Sequence, residues 1–79
     1  MTIDEALDKL INDKNLSFRD LLKICENFFE GPRSRGSHHV FKTPWIGKPW
    51  VNIQKDGKMA KPYQVKQVRQ ALIRLKDES

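Results

Sequence analysis

An α+β domain is the fold class this sequence predicts, and three observations predict it. Apolar residues recur at helical spacing up to about residue 27 and again beyond Pro62. Between those stretches the period falls to two, in short runs punctuated by Pro and Gly. A chain of 79 residues buries only roughly 60–65% of its unfolded surface, so one modest core is what it can build. The order is helix, helix, two or three antiparallel strands, helix. The helices can cover only one side of such a sheet, which leaves its other face open.

Each element has its own warrant. Residues 2–11 form the first helix: Thr2 and Glu5 stand at capping-box spacing, and Ile3, Leu7, Leu10 and Ile11 share one stripe. Residues 12–15 are a polar break. A second helix starts at Ser17, with Asp20 three residues on, and buries Phe18, Leu21, Leu22 and Cys25. It ends near Asn27, where Phe28 and Phe29 begin an extended segment. The turn-rich stretch 30–36 then interrupts or ends the first strand. Residues 37–43 read as a strand stopped by Pro44, and residues 45–49 as a loop with two tryptophans at its flanks, Trp45 and Trp50. In the strand 50–54, Val51 and Ile53 alternate with Trp50, Asn52 and Gln54, giving an apolar face and a mixed one. Asp56-Gly57 marks a turn. Pro62 suits the first position of a closing helix, whose stripe is Val65, Val68, Leu72 and Leu75.

Charge divides the chain in two. The stretch 33–76 holds eleven Lys and Arg against one Asp, whereas residues 1–30 hold seven acids and four bases. The second half therefore faces a polyanion, and Arg33, Arg35, Lys42, Lys48, Lys55 and Lys58 edge the open sheet where a phosphate backbone would lie. No apolar run approaches the roughly 20 residues of a membrane span, and the last helix makes only a weak basic amphipathic surface. Cys25 is the only cysteine, which excludes a disulfide framework. With no signal-like start, it points to a reducing cytoplasm. Set among Leu21, Leu22, Ile24 and Phe28, its thiol reads as a small buried hydrophobe rather than a reactive group.

Gly36-Ser37-His38-His39 lies inside the basic stretch. Alternation puts His38, Val40 and Lys42 on one face of their strand and His39, Phe41 and Thr43 on the other, so the two histidines do not serve one site. Nor do they make a metal pair, because ligands must converge and no third histidine exists. No metal or other cofactor is expected. One imidazole is nevertheless enough for RNA, whose 2′-hydroxyl is an internal nucleophile: histidine can take its proton or protonate the leaving oxygen, and nearby Lys and Arg stabilise the added charge. On residue type alone, His38 is either that acid–base group or a plain phosphate contact. Trp45 and Trp50 are open to three roles: core, partner surface and base stacking. Tyr63 is expected to pack on the sheet rather than point its hydroxyl at a phosphate, and Lys61, Lys66, Arg69 and Arg74 to form a solvated helix face.

From about Ser17 onward the chain resembles the HicA family of small bacterial toxins. The resemblance is carried by Arg35-Gly36-Ser37-His38-His39-Val40-Phe41, by Val51-Asn52-Ile53-Gln54, and by Ala60-Lys61-Pro62-Tyr63-Gln64-Val65 with the Lys66-Gln67-Val68-Arg69 that follows, and it covers about 60 of the 79 residues. It implies a fold like the double-stranded-RNA-binding domain, α-β-β-β-α, with a three-stranded antiparallel sheet and the helices on one face. It divides the chain into an N-terminal helical extension, residues 1–15, and a toxin domain, residues 16–79. It also implies a metal-independent endoribonuclease that cuts mRNA with one catalytic histidine, here His38. Beside it, Arg35, Ser37, Lys42 and Lys61 are the residues expected to bind the RNA. The implied partner is a HicB-type antitoxin. A non-catalytic module of the same fold, gripping duplex RNA by shape, is the rival expectation. Two departures stand out: the extension itself, and a turn-rich 28–35 segment longer than a compact family hairpin.

Overall fold

The computed structural model describes residues 1–11, 15–46 and 50–78. The elements run α1 (Ile3–Lys9), α2 (Phe18–Phe28), β1 (Glu30–Arg35), β2 (His38–Lys42), β3 (Val51–Gln54) and α3 (Pro62–Asp77). The chain is thus a small α+β domain with one three-stranded antiparallel sheet in the order β1-β2-β3. The polar break at 12–15 and the loop at 45–49 fall largely on residues 12–14 and 47–49, which lie outside the described residues, as does Lys48.

Local chemistry starts each helix. Thr2 Oγ1 accepts the Glu5 backbone N–H at 3.1 Å while the Glu5 carboxylate accepts the Thr2 N–H, a complete capping box on α1. These bonds from Thr2 hold the Glu5 carboxyl below its ordinary value. Ser17 Oγ accepts the Asp20 N–H at 3.1 Å at the head of α2. α3 uses Pro62 at its first turn and no side-chain cap on Lys61.

The core fills the space between the helices and one sheet face. Leu21, Ile24 and Cys25 of α2, Phe41 of β2, Val51 and Ile53 of β3, and Val65, Val68 and Leu72 of α3 are among its buried members. α1 joins the same core through Ala6 and Leu10, and Lys76 Nζ meets Asp4 Oδ1 at 2.6 Å. That contact raises the Lys76 ammonium above its ordinary value. The helical extension is therefore packed on the rest rather than trailing from it. A further clasp joins the entries to α2 and α3: the Phe18 N–H donates to Lys58 O at 2.9 Å and the Ala60 N–H to Leu16 O at 2.8 Å.

The structure corrects two expectations. Residues 30–35 do not end the first strand; they are the first strand. Register slips between Glu30 and Arg33, around a cis Gly31–Pro32 bond. A proline with no N–H to give fits there because β1 is an edge strand and the irregularity already breaks the ladder. Tyr63 does not pack on the sheet. It is 60% exposed, because the buried positions of that first turn go to Gln64 and Val65.

Cys25 is fully buried, and desolvation pushes its thiol up to about 12. At pH 8 it is expected to resist alkylation in the native protein and to react once denaturant unfolds the chain. A native rate equal to the unfolded rate would contradict this burial. The sign for stability follows. Below pH 9 both states keep the proton; above it the unfolded chain sheds a proton the folded chain retains. Stability therefore falls with rising pH between 9 and about 12 through this group.

Candidate functional site

The Gly-Ser-His tripeptide has a local explanation. β1 and β2 are joined by a two-residue loop, Gly36-Ser37, and Gly36 has φ +60°, a value that side-chain-bearing residues rarely adopt. Ser37 ties that hairpin tip to β3: its carbonyl accepts the Lys55 N–H at 3.0 Å and its hydroxyl accepts from Gln54 Nε2 at 3.3 Å. His38 is then the first residue of β2, paired with Arg35 on one side and Gln54 on the other.

Because paired residues share a face, the register assigns the open side of the sheet. It carries Glu30, Arg33 and Arg35 from β1, His38, Val40 and Lys42 from β2, and Asn52 and Gln54 from β3. Glu30, Arg33, Arg35, His38, Lys42 and Asn52 are exposed, whereas Val40 and Gln54 are half-buried. His38 Nδ1 lies 3.4 Å from Asn52 Oδ1. An amide oxygen can only accept, so this contact calls for Nδ1–H, and the proton-free nitrogen of the neutral ring is then Nε2. The arrangement offers a basic nitrogen on an open surface, a guanidinium on the paired residue, and an amide that orients the ring.

His39 turns the other way. Its ring meets Phe18 at 5.4 Å between centroids, and its Nδ1 is buried. The two histidines are thus separated by the sheet, as their alternation requires.

The other residues predicted for the site are brought together only in part. Arg35 and Lys42 share the open face with His38, at opposite ends of β2. Ser37 is engaged with β3. Lys61 is half-buried at the head of α3, with its ammonium 3.5 Å from Asp56 and 5.9 Å from the centre of the Tyr63 ring, and the strand register does not include it. Trp45 covers the core: it meets Phe29 edge-on at 6.4 Å, and the Arg74 guanidinium lies 4.3 Å from its ring centre. That stacking, with the 3.3 Å contact from Arg74 to Glu78, means Arg74 is more than a solvated charge. Asn52 and Glu30 were not foreseen as site residues. The outward position of Asn52 in a strand beside His38 was a readable signal; that of Glu30 was not, since it depends on the register slip.

Among the described residues no group of three or more His, Cys, Asp or Glu could hold a metal ion, and no helix is long and apolar enough to cross a membrane. Comparison with protein-family models, with curated proteins and with solved structures returned no match.

Proposed function

We propose that the chain is a HicA-like toxin, a metal-independent endoribonuclease that cuts mRNA in the cytoplasm and is neutralised by a HicB-type antitoxin. The observation that carries this reading is His38 itself. It is an exposed imidazole on the open sheet face, oriented by Asn52 at 3.4 Å and paired across the strands with Arg35. The succession α2-β1-β2-β3-α3 agrees with a double-stranded-RNA-binding-domain-like arrangement, to which α1 is an addition.

In this mechanism RNA lies along the open face. His38 Nε2 takes the proton of a ribose 2′-hydroxyl, and the freed oxygen attacks the adjacent phosphorus. The bond from phosphorus to the 5′-oxygen breaks, and that oxygen leaves with a proton from His38 or water. The products are a 2′,3′-cyclic phosphate and a 5′-hydroxyl. Arg35 and its cationic neighbours stabilise the charge that builds on the phosphate oxygens.

The test is incubation of purified protein with mRNA in excess chelator, with the product ends identified. Fragments ending in cyclic phosphate or 3′-phosphate support the reading. Intact RNA bound by shape would leave the duplex-binding module instead. The phosphate role of the cations has its own measurement. In a His38→Ala background, Arg35→Ala or Lys42→Ala should each flatten the salt dependence of single-stranded RNA binding by about 0.7 in log–log slope. An unchanged slope removes that residue from phosphate contact.

A further inference from the structure

One carboxylate sits among the cations of the open face. Strict alternation back from Arg35 would send Arg33 to the open side and Glu30 to the core side. The register slip between them resets that parity and pairs Glu30 with Lys42 instead. Glu30 is the one acid that the register puts on this face among the described residues. It lines a depression of about 180 Å³ with Gly31, Arg33, Val40, Lys42 and Trp50. The hollow is smaller than the sites that hold drug-sized ligands, and its scale is that of one planar heterocycle. Val40, two residues from His38 on the same face, forms part of its floor. Strand rise puts Lys42 about 13 Å from His38, a distance that roughly two extended nucleotides span.

We propose that this hollow is a nucleobase subsite selecting guanine in single-stranded RNA, within about two nucleotides of the phosphate that His38 acts on; it rests on the RNA-cleaving reading above. Its walls match one base. A carboxylate accepts two parallel N–H bonds, and guanine presents adjacent N1–H and N2–H donors on one edge. The Arg33 guanidinium donates, and guanine presents O6 and N7 acceptors to such a fork. Trp50 also lines the hollow, and an indole is a ring type on which bases stack. Adenine and cytosine offer the carboxylate only an amino group, and uracil a single imide N–H, so none repeats the paired donors. An acid on a surface that otherwise attracts phosphate weakens general affinity, so its place there is explained by discrimination between bases. A bulge that turns one side chain toward a site is a known use of such irregularities.

The experiment uses the full chain carrying His38→Ala, so that RNA stays intact, and short oligouridylates with one central G, A or C. Dissociation constants are read from fluorescence anisotropy of labelled RNA. The G-containing oligomer is expected to bind about tenfold more tightly than the A-containing one. Glu30→Gln in the same background is expected to bring that ratio close to one while leaving the A-containing oligomer within about twofold. Glu30 is exposed, so the substitution leaves the core untouched. Equal affinities for all oligomers, absence of binding, or a ratio that survives Glu30→Gln would overturn the subsite. Cleavage by the unsubstituted protein is scored separately. Cleavage without base discrimination sinks the guanine subsite alone, and discrimination without cleavage sinks the nuclease reading alone.

Discussion

Replacing His38 by Ala is expected to lower RNA cleavage by about 10²–10⁴-fold, the share a positioned acid–base group usually supplies. The same substitution should leave the unfolding midpoint almost unchanged. His38 is exposed, and its one described side-chain contact is the 3.4 Å approach to Asn52. Substitutions at such surface positions usually fall within about 0.5 kcal/mol. His39→Ala is the matching control. It removes a ring packed on Phe18, so it should cost stability and leave the chemistry intact in whatever fraction remains folded. Initial cleavage rates in chelator, alongside urea unfolding curves, separate the two effects. Full cleavage by His38→Ala would remove this imidazole from the mechanism; growth arrest that survives the substitution would do the same in cells.

Phe41→Ala is expected to cost about 3–5 kcal/mol of folding stability, the usual range for a buried Phe reduced to Ala. Phe41 is fully buried on the central strand, where it pairs with Val51. A domain of this length has a total stability of about 4–12 kcal/mol. Losing that much removes a large fraction of the total, so the unfolding midpoint falls far below that of the unsubstituted chain. The core cluster to which Phe41 belongs draws its side chains from separate elements, α2, β3 and α3 among them. The urea midpoint, with the slope unchanged, is the quantity to read. A loss under about 1 kcal/mol would show that Phe41 does not hold the sheet to the helices.

Much of the fold was legible because its signals are local. The Thr2–Glu5 capping box, the Ser17 cap, Pro62 at the head of α3, and the stripes of α2 and α3 depend on residues a turn or two apart. The stripe of α1 was read less well, since Ala6 is buried and Ile11 is 66% exposed. The opposed faces of His38 and His39 follow from strand parity alone, and the depth of Cys25 from its apolar neighbours along α2. Where the reading failed, a distant partner decided. The 30–35 segment looked like a turn because Gly31, Pro32 and Gly36 are breakers in isolation; β2 pairs with it and makes it a strand. Tyr63 is a large aromatic beside an apolar stripe, yet Gln64 takes the inward position and Tyr63 stays at the surface.

The amino-acid order by itself settled the types of α1, α2, β2, β3 and α3, the apolar stripes of α2 and α3 and the opposite directions of His38 and His39, since each is set by backbone periods of 3.6 or 2. It could not settle which side chains meet across strands, because register is a property of pairs and one extra residue in β1 inverts the parity of everything before it. Only the folded chain puts Asn52 beside His38, Asp56 beside Lys61, and Glu30 on the same face as Arg33 and Lys42.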